Sequence, residues 1–177
     1  MLAELDQRGL PVSGITAGGN QDAPDGGIDV RAGVPHLPNP DFVPRRTTGY
    51  QVKKPNMVAS AIKDEMKPEG TLRAVIGEIA DAGGAYVIVR AQGSVADRPP
   101  ADRRKAMRDA VAGYPNGAAL HVDFCDRERV ATWANRHPGV AAWVRARVGR
   151  ELSGWRPIGD WTGSAVGQGS ALTSQPW

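Results

Sequence analysis

The chain has 177 residues, 41% hydrophobic and 23% charged, a composition that suits one soluble globular domain and excludes collagen-like, mucin-like and long coiled-coil chains. Its longest apolar stretches, Ala85 to Val89 and Val140 to Val144, fall far short of the roughly 20 residues that cross a bilayer. Glu4 and Asp6 in the opening turn are unlike a secretory signal, so a cytoplasmic location with no membrane partner is expected. A single cysteine, Cys125, leaves no internal disulfide and no Cys-based zinc site. Lys and Arg number 22 against 19 Asp and Glu, a formal net charge of +3 that permits nucleic acid without demanding it.

In chain order, Met1 to Arg8 reads as a helix with Leu2 and Leu5 facing a core and Gly9 as its stop. Val12 to Ala17 is β-prone and is followed by turn formers from Gly18 to Asp25. Gly27 to Ala32 alternates, Ile28 and Val30 on one side, Asp29 and Arg31 on the other, as a half-buried strand does. Four prolines between Val34 and Arg46 predict a long irregular connection, after which Thr47 to Lys54 resumes the strand pattern. Asn56 is a candidate N-cap for a helix over Met57 to Met66, and a second helix is predicted from Thr71 to Ala82, ended by Gly83 and Gly84. Ala85 to Arg90 and Ala118 to Phe124 are apolar runs of the kind found in strands covered on both faces, with a helix over Pro100 to Ala112 between them. Asp126 caps a helix through Asn135 and Pro138 starts another ending near Gly149, with the Trp133 and Trp143 rings expected in the core. From Ser153 the chain is Gly-rich and punctuated by Trp155, Trp161 and Trp177. The division expected is a domain over residues 1–152 and a docked tail or linker over 153–177. The αβ alternation predicts an α/β fold, a mixed sheet flanked by helices.

If the strands at Gly27–Arg31 and Tyr50–Lys54 pair across the proline-rich loop, alternation sends Ile28, Val30, Tyr50 and Val52 to the core. Asp29, Gln51 and Lys53 then share the other face. A carboxylate, an amide oxygen and an ammonium together suit phosphodiester hydrolysis: the oxygens can hold Mg²⁺, and the lysine can orient or deprotonate a water and offset transition-state charge. Taken singly, Asp29 reads as a turn cap and Lys53 as a solvated strand residue. It is the single register satisfying all three that favours a site.

At these residues the sequence resembles the PD-(D/E)XK restriction-endonuclease-like nucleases, and among them the Mrr-type group whose third motif is Gln-x-Lys. Asp25-Gly26-Gly27-Ile28-Asp29-Val30 is similar to that group's turn and strand, and Gln51-Val52-Lys53 to its Gln-x-Lys. The resemblance implies an αβββαβ core with extra C-terminal helices, Asp29 as metal ligand and Lys53 as catalytic lysine. It also implies Gln51 in the place of an acidic residue, the Val52 carbonyl as a further ligand, and Mg²⁺, or Mn²⁺ in its place, as cofactor. Relatives often add an acidic residue from the first helix, where Glu4 is a poor positional match. Val122-Asp123-Phe124, Trp133, His137-Pro138-Gly139 and Ser153-Gly154-Trp155 are similar to nuclease-like domains joined to large NTPase-containing bacterial proteins, some of them antiviral. That likeness implies an NTPase or sensor domain in the same polypeptide and a homo-oligomer on activation.

The activity expected is that of a Mg²⁺-dependent endonuclease acting on DNA. Arg31, Lys54 and the Arg103-Arg104-Lys105 cluster are candidates for backbone contact, a solvated face being the plainer reading of that cluster. The alternative is a catalytically degenerate nucleic-acid-binding or assembly module of the same fold. His36, His121 and His137 are scattered and read as structural, and no serine sits in a nucleophile-elbow context.

Overall fold

The computed structural model describes residues 1–18, 26–35, 42–54, 57–90 and 100–150. The expected turn residue Asp25, the cap Asn56, His36 and the tail from Ser153 lie outside the described residues. The chain divides into two compact units, Met1–Ala131 and Thr132–Trp177.

The first unit is an α/β fold around a five-stranded mixed sheet. Its elements in order are α1 (Leu2–Gln7), β1 (Ile15–Ala17), β2 (Val30–Gly33), β3 (Thr47–Lys53), α2 (Ala59–Met66), α3 (Ala74–Asp81), β4 (Ala85–Arg90), α4 (Pro100–Val111), β5 (His121–Cys125) and the start of α5 (Arg127–Asn135). Spatial order follows chain order, β1-β2-β3-β4-β5. The β1/β2 and β2/β3 pairs are antiparallel, and the β3/β4 and β4/β5 pairs parallel. A parallel neighbour needs a crossover connection, which α2 with α3 and then α4 supply.

Each face of the sheet has its own apolar layer. Ile62 and Met66 of α2, Ile76 and Ile79 of α3 and Met107 of α4 pack against Ile28, Tyr86, Ile88, Val122 and Phe124. On the opposite face Leu5 of α1 joins Ala32, Val43, Tyr50, Val87 and Cys125, with Val30, Val89 and Val130 at the margin. β4 is covered on both sides, as its unbroken Ala-Tyr-Val-Ile-Val run predicts.

Three expectations are corrected here. Ile28 and Val30 belong to different layers, because the strand begins only at Val30, after Gly26 and Gly27 take positive φ values. Val52 is 43% exposed rather than core, and Leu2 of α1 is 58% exposed.

In the second unit α6 (Pro138–Arg147) starts at Pro138 as predicted and ends before Gly149, at φ +68°. Trp143, expected inside, is 50% exposed, with the Arg147 guanidinium 5.4 Å from its ring centroid. No helix among the described residues is long and apolar enough to cross a membrane.

Candidate functional site

β3 is the strand on which the site is built. Alternation turns Gly49, Gln51 and Lys53 toward the α2–α3 layer, and Thr48, Tyr50 and Val52 away from it. Gly49 has to be glycine: a Cβ there would lie 2.6 Å from Cδ1 of Ile28 and 2.7 Å from Cδ1 of Ile79. Tyr50 is held on the far face, its hydroxyl donating a short hydrogen bond to the Phe42 carbonyl.

Gln51 lies beside Ile88 in the parallel register and is 6% exposed. Its Oε1 is buried and has no hydrogen-bond partner among the described residues. Such an oxygen costs about 1–3 kcal/mol of desolvation, so its retention calls for an explanation. The expected open face is therefore covered over Gln51, while Lys53, at the strand's C-terminal end, is partly exposed.

Lys53 is where this cover ends. Its Nζ lies 2.9 Å from Oε2 of Glu65, on the last turn of α2. Glu65 is also 3.2 Å, through Oε1, from Nη2 of Arg73, whose Nε donates to the Glu65 main-chain carbonyl at 2.6 Å. Gly27, at φ +95°, allows the segment before β2 to press on this arginine, since a Cβ there would meet Arg73 Cδ at 2.7 Å. The Tyr86 hydroxyl donates to the Gly27 carbonyl at 3.4 Å. Burial raises the Tyr86 pKa first of all; Glu65 raises it further, Arg73 lowers it and Asp29 raises it.

Asp29 immediately precedes β2. Continuing the Val30↔Tyr50 register puts it opposite Gln51, and residues opposite one another share a face. Its Oδ2 accepts the Val52 N–H at 2.6 Å. β2 pairs no further than Tyr50, whereas the β4 ladder continues to Lys53↔Arg90. Among the described residues no strand continues beside the Val52 N–H and carbonyl, and the Asp29 carboxylate takes the position that the next ladder bond would occupy. Arg90, the register partner of Lys53 on the same face, is 3% exposed.

The structure thus brings Asp29, Gln51, Val52 and Lys53 together at the C-terminal end of β3. Glu65, Arg73, Tyr86 and Arg90 join them, none of which the local pattern singles out. The available signal for Glu65 was helical spacing: it flanks the buried positions Ile62 and Met66, and so leans toward the sheet. Glu4, by contrast, is buried beside Leu5 in the opposite layer and pairs with Arg8 at 2.7 Å, so it is not part of the site.

The nucleic-acid candidates scatter. Arg31 reaches Glu78 on α3 at 3.5 Å, and Lys54 is exposed just beyond β3. Arg103 is 5% exposed; its Nε donates to the Met57 carbonyl at 3.2 Å and its guanidinium lies 4.8 Å from the Phe124 ring centroid. It is a packing residue, because a carbonyl and a ring occupy the groups a phosphate would need. Arg104 is partly exposed and turned to Asp123, and Lys105 is exposed beside Asp109 on its own helix at 3.0 Å.

Among the described residues no three His, Cys, Asp or Glu side chains cluster closely enough to hold a metal by themselves. Two carboxylates, Asp29 and Glu65, one spare amide oxygen and one strand-end carbonyl are all hard oxygen donors. That donor set fits a Mg²⁺-like ion that keeps several waters. Compared with known proteins, the chain matches no family model, no curated protein and no solved structure.

Proposed function

We propose that this chain is a metal-dependent endonuclease domain of the restriction-endonuclease-like type, which hydrolyses phosphodiester bonds in DNA. The observation that carries the reading is the orphaned Gln51 Oε1 between Asp29 and the Lys53–Glu65 pair. A carboxylate, an unsatisfied oxygen and an ammonium meet at one strand end. The element order from α1 through β1, β2 and β3 to helix, strand, helix and strand is compatible with the expected core.

Asp29, Gln51 Oε1 and the Val52 carbonyl would hold the ion, with Glu65 as a second carboxylate beside them. When bound, Mg²⁺ or Mn²⁺ polarises the phosphate and acidifies a water. Lys53 orients the attacking water and offsets the charge gained by the phosphoryl oxygens. Glu65 fixes the Lys53 ammonium, and Arg73 fixes Glu65 from the other side, so the lysine is positioned before substrate arrives. Arg31 and Lys54 serve for backbone contact without sequence readout.

The degenerate-module alternative draws on one observation, the placement of Glu4 in the opposite layer, which removes the first-helix acid from the site. Incubation of supercoiled plasmid with the protein and Mg²⁺ separates the two. The endonuclease nicks it, and both Asp29→Ala and Lys53→Ala abolish nicking; cleavage surviving both substitutions would remove these residues from the mechanism. Binding of DNA that is indifferent to Mg²⁺, with no nicking, supports the degenerate module.

A further inference from the structure

A second cluster of charge lies on β5, the edge strand at the other end of the sheet. Val122 and Phe124 face the helical layer, so His121 and Asp123 face the opposite side. Arg104 and Arg108 of α4 come from the helical side and line the cleft with them at the edge of β5. Arg129 comes from the first turn of α5. Together with Leu120 and Val122 these groups line an open cleft of about 630 Å³.

The polar wall is built rather than loose. Asp123 is 8% exposed, and its Oδ1 accepts the Phe124 N–H at 2.8 Å. Its Oδ2 accepts from Arg129 Nη1 at 2.5 Å, and Arg104 Nη1 lies 3.6 Å from Oδ1. The Arg129 guanidinium also stands 5.6 Å from the Phe42 ring centroid. α5 itself begins where the sequence predicts, with Asp126 Oδ1 accepting the Arg129 N–H at 2.9 Å. One buried carboxylate thus holds two arginines, and the third, Arg108, is exposed and has no carboxylate partner among the described residues. The lining carries three guanidinium groups against that single carboxylate; burial lowers the His121 pKa most, Asp123 opposes it, and Arg45 and Arg129 lower it further.

Three guanidinium groups against one carboxylate call for a multiply charged anion, and planar guanidinium forks match phosphate oxygens. The cleft's size falls within the range of small-molecule sites, and the half-buried His121 ring in its lining offers a surface for a base or sugar. We propose that this cleft is a second anion site, which takes the phosphate group of a nucleotide. It is separate from the Asp29–Lys53 site: β4 intervenes, and Asp123 and Gln51 point to opposite faces of the sheet. A phosphate held here is not the one cut there.

The test is isothermal titration of the full chain in low-salt buffer with EDTA. The probes are inorganic phosphate, a nucleoside triphosphate, and one short oligonucleotide bearing either a 5′-phosphate or a 5′-hydroxyl. Binding is expected for the triphosphate, weakened roughly tenfold by Arg108→Ala and by Arg104→Ala and unchanged by Asp29→Ala. Arg108 is exposed and unpaired, so its removal leaves the fold intact, which a thermal melt of the variant verifies. Tighter binding of the triphosphate than of either oligonucleotide assigns a free nucleotide. Preference for the 5′-phosphorylated oligonucleotide over its 5′-hydroxyl twin assigns a strand end. No binding of any probe at millimolar concentration, equal binding by Arg108→Ala, or loss of binding in Asp29→Ala each overturns the proposal. The last two assign the phosphate to another surface, and none of them bears on plasmid cleavage.

Discussion

Replacing Gln51 by methionine separates a binding oxygen from a structural one. Gln51 is 6% exposed, its Oε1 lacks a partner among the described residues, and its neighbour in register is the fully buried Ile88. An unsatisfied buried carbonyl costs about 1–3 kcal/mol, and an apolar side chain of similar length and flexibility removes that cost without opening a cavity. Gln51→Met is therefore expected to stabilise the metal-free protein by about 1–2 kcal/mol. For a domain of this size each kcal/mol moves the melting temperature by roughly 2–4 °C. Under the proposed function the wild-type protein gains stability from Mg²⁺ as RT ln(1 + [L]/Kd), about 1.4 kcal/mol at tenfold excess over Kd, and the variant loses most of that gain together with plasmid nicking. Melts of both proteins in EDTA and across a Mg²⁺ series measure the two quantities. A variant less stable than wild type in EDTA, or one keeping the full Mg²⁺ increment, refutes the view that Oε1 is an oxygen held in reserve.

Three further outcomes follow from the same geometry. Lys53→Met and Glu65→Gln are expected to abolish nicking while changing urea stability by only about 1 kcal/mol, because the pair is partly solvated and Arg73 remains to partner Glu65 in the first variant. Arg103→Ala should cost about 2–4 kcal/mol in urea denaturation through its lost carbonyl and ring contacts, with no loss of DNA affinity in the folded protein by gel shift. Burial pushes the Cys125 thiol up to about 11 from an ordinary 9.0. The folded state then holds its proton where the unfolded state releases it, so stability is full below about pH 9 and falls on the order of 2 kcal/mol as pH rises toward 11. Urea melts at pH 8 and 10.5 measure the fall, and Cys125→Val should make it shallower; an unchanged slope in that variant removes the thiol from the effect.

How much of this was written locally can be judged element by element. Ala85–Arg90 was legible because an unbroken apolar run bounded by Gly84 has one natural reading, and Asp126 because a capping side chain acts within its own turn. β5 begins later than its apolar run because Gly117–Ala119 turns first, with Gly117 so close to the Val111 carbonyl that a Cβ would lie 2.1 Å from it. The second helix begins at Ala74 rather than Thr71 because Arg73 is drawn to Glu65 and its N–H to the Met66 carbonyl. For the site, alternation along one strand gave Gln51 and Lys53 a common face. It could not reach Glu65, Arg73, Tyr86 or Arg90, which arrive through crossovers and register. Arg103 and Arg104, adjacent in a basic run, differ only by about 100° of helical rotation, and that rotation sends one under the sheet and the other to its edge.

The site draws Asp29 and Lys53 from the antiparallel β2/β3 pair and Glu65 and Arg90 from the half closed by crossovers. Antiparallel neighbours can pair while the chain is still short, whereas parallel β3 and β4 meet only after α2 and α3 have been made and docked. Asp29 and Lys53 therefore share a frame as soon as β2 and β3 pair, whereas Arg90 beside Lys53 waits for the crossover to β4. Half of the site is thus local in sequence, and its helical cover is completed by the first crossover, through α2 and α3.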